Sequence, residues 1–296
     1  MIHCCVGIMA YNEAANIGLL LKALLAQETL TVALDKIIIV ASGCTDKTED
    51  IVQEFATRDS RVQLLQQPRR EGKASAVNLF MANTQHEVLV LESADTLPLP
   101  HTLEALVAPF ADPDVGMVGG RPIPTNSPDT FMGFGVQLLW ELHHQISLSC
   151  PKMGEIIAFR NIFRQIPYDT AVDEASIEPL IVGQGLRLAY APDAVVLNRG
   201  PETVQDFIKQ RRRIFVGHLY VKDALGYKVS TMQGLRIVWL FLKSMRLDWR
   251  YLTWGPAIAT LEILVRLLAT YDYTVSKTKP FNWPVVESTK KLVNVA

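Results

Sequence analysis

Cysteine is scarce in this chain. Four of 296 residues are cysteine, at positions 4, 5, 44 and 150, and no C-x-x-C pair occurs. That excludes a disulfide scaffold and a zinc site built on paired cysteines, and it fits reduced thiols in a cytosolic compartment. An excess of charge is missing as well. Twenty-nine Lys and Arg stand against 30 Asp and Glu, for a net charge of −1. With a pI near 6.6 there is no global basic surface for nucleic acid. The six histidines are scattered, with one pair at His143-His144 and no metal-ligand spacing; His218 is only a minor site candidate. No basic segment leads into a long apolar run at the start. Met1 passes into apolar Cys4–Met9 and then into polar Tyr11-Asn12-Glu13, so the chain is expected to fold in the cytosol without a signal peptide. No apolar run reaches the roughly 20 charge-free residues of a membrane-spanning helix. The longest, Tyr251 to Tyr273, contains Glu262 and Arg266.

Apolar residues themselves are plentiful. Hydrophobic side chains make up 49% and charged ones 20%, enough for a sizeable core and incompatible with a disordered chain. The first two-thirds alternate strand and helix patterns. Val6 to Met9, Lys36 to Val40, Val62 to Leu65 and Glu87 to Leu91 read as strands. Helices are expected at Asn16–Gln27, Thr48–Thr57 and Ala74–Asn83 between them. Continuously apolar strands separated by amphipathic helices predict an α/β fold, a mostly parallel sheet covered by helices. Beyond Pro109 the rhythm changes. Val115–Gly119 reads as a strand running into a turn-rich Arg121–Pro128 segment, Phe131–Ser149 as a helix and Ile156–Arg160 as a strand. A helix over Ala171–Val182, two short strands at Leu186–Tyr190 and Ala194–Leu197, and helix from Thr203 onward follow.

Polar clusters close three of the apolar strands: Tyr11-Asn12-Glu13, Ser42-Gly43-Cys44-Thr45-Asp46 and Ser93-Ala94-Asp95. An open parallel sheet binds its ligand at these carboxyl ends. Gly72-Lys73 lies between two of them, after Arg69-Arg70 and before a helix, where glycine lets backbone approach closely and lysine can pair with phosphate. Asp173-Glu174 and Gln210-Arg211-Arg212-Arg213 follow in order. Local roles are open to several of these residues. Glu13 suits the positive end of the following helix, and Asp46 with Glu49 has capping-box spacing.

This ordered set resembles glycosyltransferase family 2 over about residues 1–218. The resemblance implies the GT-A fold and an inverting transfer of a sugar from a nucleotide-sugar donor, a UDP- or GDP-sugar. It implies that Tyr11 stacks on the base and that Glu13, Ser42, Lys73, Ser93, Asp95, Gln210 and Arg213 belong to the donor site. Asp95 is then the metal carboxylate for Mg²⁺ or Mn²⁺, which favour hard oxygen ligands and neutralise a departing diphosphate. Glu174 is the expected general base, with Asp173 as the alternative. Three departures stand out. No aspartate occupies the Ala41-Ser42 position, which leaves the base identity open. Ser93 stands where the Asp-x-Asp motif has its first aspartate, and strand alternation turns Glu92 away from Asp95. Ile214 replaces a tryptophan expected in processive polymer synthesis.

The expected organisation is a catalytic domain over 1–218, with a nucleotide-sugar half at 1–110 and an acceptor half at 111–218. A helical C-terminal appendage follows over 219–296. Its apolar stretches, with Trp239, Trp249 and Trp254, suit an interfacial helix more than a spanning one. This predicts peripheral contact with the cytosolic membrane face and a lipid-linked or saccharide acceptor. A nucleotidyltransferase could share the sheet, but Ala10-Tyr11-Asn12-Glu13 lacks a glycine-rich phosphate loop. A non-catalytic binding protein of the same fold would accommodate Ala41 and Ser93.

Overall fold

The computed structural model of the protein describes residues 1–168, 172–230 and 234–276. The helix start expected at Ala171 and the last part of the tail, 277–296, lie outside the described residues. Strands β1 (Ile2–Ala10), β2 (Val32–Ser42), β3 (Val62–Gln67) and β4 (Val88–Ser93) alternate with helices α1 (Ile17–Leu25), α2 (Thr48–Arg58) and α3 (Lys73–Ala82). Then come β5 (Leu97–Pro98), α4 (Thr102–Val107), β6 (Val115–Pro124), α5 (Phe131–Ser147), β7 (Ile156–Arg160), α6 (Asp173–Val182) and β8 (Arg187–Asn198). Helices α7 (Val204–Leu225), α8 (Gly234–Ser244) and α9 (Trp249–Thr274) end the described chain.

One eight-stranded sheet runs in the order β3-β2-β1-β4-β7-β6-β8-β5. The four strands of the first half are parallel, and so is the β6–β8 pair. The sheet is nevertheless mixed, because β7 is antiparallel to both β4 and β6, and β5 to β8. Successive residues of a strand face opposite sides, and the core divides accordingly. Cys4, Val6, Ile8, Ile37, Ile39 and Val90 pack under α1 and α4 on one face. Cys5, Ile38, Val40, Leu89 and Leu91 pack under α3 and α6 on the other. Burial pushes the Cys4 thiol up to about 12 and the Cys5 thiol up to about 11, so neither is a reactive thiolate.

The second half differs locally from its sequence pattern. The two short strands expected around residues 186–197 are one strand, β8, whose register against β6 shifts between Gly119 and Arg121. The gap between the two expected strands, Ala191–Asp193, instead falls at this register shift inside a continuous strand. The turn-rich Arg121–Pro124 stretch is likewise paired with β8. Its two prolines are tolerated because β7 pairs with β6 only over Met117–Gly119, which leaves one side of this stretch without a ladder.

The C-terminal helices pack against the second half. Phe134, Leu138, Leu142 and Ile146 of α5 bury Leu240 of α8 and partly cover Tyr251 and Trp254 of α9. Two ion pairs tie α9 to α7. Arg211 reaches both carboxylate oxygens of Glu262 at 3.0 and 2.6 Å, and Arg212 those of Asp272 at 2.8 and 2.7 Å. The i,i+4 pair Arg266–Glu262, expected from spacing, is present at 3.2 Å. The opposite face of this layer stays apolar and exposed, at Trp239, Leu242, Trp249, Leu252, Leu264 and Leu267.

Candidate active site

The carboxyl ends of β1, β2 and β4 lie side by side, as the parallel pairing requires, and each carries one polar cluster. Asn12 adopts the left-handed region at φ 52° and reaches across to the loop after β2. Its Oδ1 accepts from the Thr45 amide at 2.8 Å, and its Nδ2 donates to Thr45 Oγ1 at 3.1 Å. Asp46 completes the tie. Its Oδ2 accepts from the Ala14 amide at 3.0 Å and its Oδ1 from the Thr48 amide at 2.9 Å, bonds that hold the carboxyl below its ordinary range against the effect of burial. Asp46 therefore caps α2 and fastens β1 to β2. The capping box read from Glu49 does not close in this form, because Glu49 accepts from Gln66 instead. Glu13 is 8% exposed. Its backbone amide donates to Thr48 Oγ1 at 2.8 Å, and its carboxylate accepts from Asn16 at 3.2 Å, at the start of α1.

The Arg69–Gly72 loop folds over this edge. Gly43, at φ +64°, permits it: a Cβ there would lie 2.5 Å from the Arg70 amide nitrogen. Ser42 Oγ holds the loop, donating to the Arg69 carbonyl and accepting from the Glu71 amide, both at 3.3 Å. The Arg70 guanidinium lies over the Tyr11 ring, 4.4 Å from its centroid, a cation–π arrangement. Gly72 turns the chain at φ +91° into α3, which places Lys73 beside the second half of the sheet.

There the two halves meet. Lys73, Ser93, Glu155, Asp173 and Glu174 line one pocket, floored by Gly7 and Met9 of β1. Lys73 Nζ pairs with Asp173 Oδ1 at 3.1 Å. Burial opposes the lysine's charge, but Asp173 and Glu174 outweigh it and hold the ammonium pKa above its ordinary value. Asp173 is 5% exposed and sits at the start of α6 with Glu174. Burial, followed by the Asp173 charge, pushes Glu174 up to about 7, while Lys73 and Lys152 pull in the opposite direction. A carboxyl of that pKa can take up a proton at neutral pH. Asp95 is half-buried in the turn after β4. Glu92, two residues into the strand end, is 3% exposed and accepts from Thr96 at 3.1 Å. Burial pushes it up to about 8. It lines the same pocket as Ser93 and Glu155.

Of the basic run on α7, Arg211 and Arg212 are committed to α9. Arg213 is exposed, and its charge is among those acting on Glu155; Gln210 lies one turn earlier on the same helix. Two residues that strand-end reasoning did not single out belong here. Glu155 accepts from Ser93 Oγ at 2.9 Å, and its carboxyl is raised by burial and then by the nearby Asp95 charge, against the pull of Lys73 and Arg213. Lys152 is pushed down by burial, against the pull of Glu178 and Glu174. The available signal was the pair of charged residues, Lys152 and Glu155, directly before an apolar strand. An antiparallel strand brings its beginning, not its end, to the edge where parallel strands end.

A divalent cation fits the chemistry of this donor set. Asp95 and Glu155 are hard oxygen ligands beside a pocket that also holds Lys73. Among the described residues no three His, Cys, Asp or Glu side chains gather as a complete metal site, so remaining ligands would come from the donor or from water.

Residues 5–168 match the profile of glycosyl transferase family 2. The chain is 22% identical over 200 residues to an N-acetylglucosaminyltransferase of Rhizobium meliloti, a match covering 60% of this chain and 47% of that protein. The chain thus spans about half the length of that curated relative. In structure it is similar to the mannosyltransferase PcManGT from Pyrobaculum calidifontis, solved with GDP-Man and Mn²⁺. The TM-score is 0.61 at 23% identity, over 94% of this chain and 81% of that one. It is also similar to glucosyl-3-phosphoglycerate synthase from Mycobacterium tuberculosis, solved with Mn²⁺, UDP and glucosyl-3-phosphoglycerate. There the TM-score is 0.52 at 17% identity, over 76% of this chain and 80% of that one.

Proposed function

Because the chain belongs to glycosyltransferase family 2, we propose that it is an inverting transferase. It moves a sugar from a UDP- or GDP-sugar to a hydroxyl of a lipid-linked or saccharide acceptor, in cell-envelope glycan or glycolipid synthesis. The observation that carries this reading is the Lys73–Asp173–Glu174 arrangement in one pocket with Ser93 and Glu155. Asp173 is held by Lys73 at 3.1 Å, which leaves Glu174, pushed up to about 7, as the group suited to accept the proton.

The acceptor hydroxyl gives its proton to the Glu174 carboxylate as its oxygen attacks the anomeric carbon. The bond from that carbon to the diphosphate oxygen breaks, and the nucleoside diphosphate leaves from the opposite face, which inverts the centre. Lys73 and Arg213 are the cations assigned to the negative charge that develops on the leaving diphosphate, and an arginine fork suits diphosphate oxygens. Tyr11 offers a flat ring to the base. Arg70 covers one face of it, so the base takes the other face or displaces the guanidinium. Glu13 and Ser42 shape this end of the donor site through the loops they hold. When bound at Asp95, Mg²⁺ or Mn²⁺ supplies charge neutralisation of the departing diphosphate.

The exposed apolar face of α8 and α9 supports attachment to the cytosolic leaflet. By length and composition α9 could cross a membrane. The ion pairs of Glu262 and Asp272 with α7 favour an interfacial position, because insertion would separate charges in hydrocarbon.

Incubation with a panel of nucleotide sugars, Mn²⁺ and candidate acceptors tests the proposal by release of nucleoside diphosphate. Pyrophosphate release from a nucleoside triphosphate and a sugar phosphate would point to nucleotidyl transfer instead. Donor binding with no turnover on any acceptor would point to a binding protein of this fold.

A further inference from the structure

We infer that Glu155 supplies the carboxylate that Ser93 does not, so that the divalent cation is held between β7 and the β4 turn rather than by the β4 turn alone. This inference rests on the cation-dependent reading above. The argument begins with the register of two strands. β4 and β7 are antiparallel, with Glu92 opposite Ile156, and the ladder continues one step further, where the Ser93 amide donates to the Glu155 carbonyl at 3.1 Å. Ser93 and Glu155 are therefore cross-strand neighbours. Directly opposed residues of an antiparallel pair send their side chains to the same face, with Cβ atoms about 4.5–5.5 Å apart. The side chains meet as this geometry requires, Ser93 Oγ donating to Glu155 Oε2 at 2.9 Å.

Asp95 follows Ser93 by two residues at the end of β4. In an Asp-x-Asp motif the two carboxylates come from these same two positions. Here the first position has a hydroxyl, and a carboxylate from 62 residues further along is bonded to that hydroxyl. The negative charge is kept at the site but moved across the ladder. Asp95 stands two residues beyond Ser93 in the turn that follows β4, on the edge where Glu155 leads into β7, and its charge acts on Glu155. Both are hard oxygen donors, the type that Mg²⁺ and Mn²⁺ select. One hydrogen bond from Ser93 uses only part of the acceptor capacity of a carboxylate. It also orients the group, as outer-shell partners of metal ligands do. A plain charge partner for Lys73 and Arg213 would need neither the serine bond nor a place opposite the motif.

The test is Mn²⁺ binding followed by electron paramagnetic resonance of the free ion, with UDP or GDP present and no acceptor, so that turnover is not the readout. The parent protein is expected to bind Mn²⁺, and Asp95→Asn to lose that binding. Glu155→Gln is expected to weaken it by at least the roughly 10- to 100-fold that loss of an outer-shell partner costs. Adding Ser93→Asp to Glu155→Gln is expected to restore it, because the carboxylate returns to β4. Parent-like Mn²⁺ affinity in Glu155→Gln, with Asp95→Asn defective, would overturn the role of Glu155 and leave the cation reading intact. Absence of Mn²⁺ binding by the parent protein with either nucleotide would overturn both. Should Glu155→Gln fail to fold, Glu155→Asp carries the test. It keeps the charge, withdraws the oxygens by one methylene, and must weaken Mn²⁺ binding at an unchanged thermal midpoint if Glu155 is a ligand.

Discussion

Replacing Glu174 by Gln keeps the shape of the side chain and removes its capacity to take a proton. Donor binding should therefore survive while the chemical step fails. Loss of a general base costs on the order of 10²–10⁴ in kcat, or about 2.7–5.5 kcal/mol of activation free energy. The structure also sets where the pH dependence falls. With Glu174 pushed up to about 7 by burial and the Asp173 charge, the active carboxylate form is half-populated near neutrality. It falls to about a tenth one pH unit lower. The acid limb of kcat/KM, which reports the unliganded protein, should have its midpoint near pH 7, well above that of an ordinary glutamate. The neighbours give the sign of further shifts. Asp173→Asn removes a negative charge that disfavours the Glu174 carboxylate, so the limb should move to lower pH. Lys152→Met removes a positive charge that favours it, so the limb should move to higher pH. Values of kcat/KM from pH 5 to 9, with donor affinity measured separately by calorimetry, check all three. The reasoning is refuted if Glu174→Gln keeps kcat within a few-fold of the parent, and more pointedly if Asp173→Asn is the inactive variant.

Asp95→Ala should abolish turnover and the Mn²⁺-dependent part of donor affinity; calorimetry giving the same affinity as the parent with and without Mn²⁺ would remove Asp95 from the metal site. Arg211→Ala leaves Glu262, whose side chain is 13% exposed, without its bidentate partner. Glu262 keeps Arg266 at 3.2 Å, so the cost should fall below the roughly 3 kcal/mol of a buried charge left with no partner, read as a thermal midpoint a few degrees lower, whereas an unchanged midpoint would mean that α9 does not depend on this tie. Carbonate washing of membranes should leave part of the protein bound, because apolar faces rather than charge hold it. Trp239→Glu with Leu242→Glu should reduce vesicle flotation without loss of donor binding, and full solubility of the parent without detergent would refute membrane contact.

Much of the first half was legible along the chain. Ile37-Ile38-Ile39-Val40 and Val88–Leu91 are apolar on both faces, which only a covered sheet satisfies. Their polar ends then had to fall along one edge, because parallel strands finish on the same side. This brought Tyr11, Ser42 and Asp95 to one region from local pattern alone. Periodicity also separated the faces of Cys4 and Cys5, and spacing foresaw the Glu262–Arg266 pair.

Strand direction was not legible, and most of the candidate chemistry depends on it. An apolar run such as Ile156–Phe159 reads the same in either direction. Only its place between β4 and β6 makes β7 antiparallel, and that reversal puts Glu155 against Ser93. Contacts between residues far apart in sequence follow the same rule. Lys73 meets Asp173 because α3 and α6 cover the same face of the sheet, and Arg211 meets Glu262 because α9 folds back on α7. Local sequence carries the burial and turn preferences of each segment. Which carboxylate faces which cation is decided by the path of the chain between segments, since that path selects one partner among several of equal chemistry.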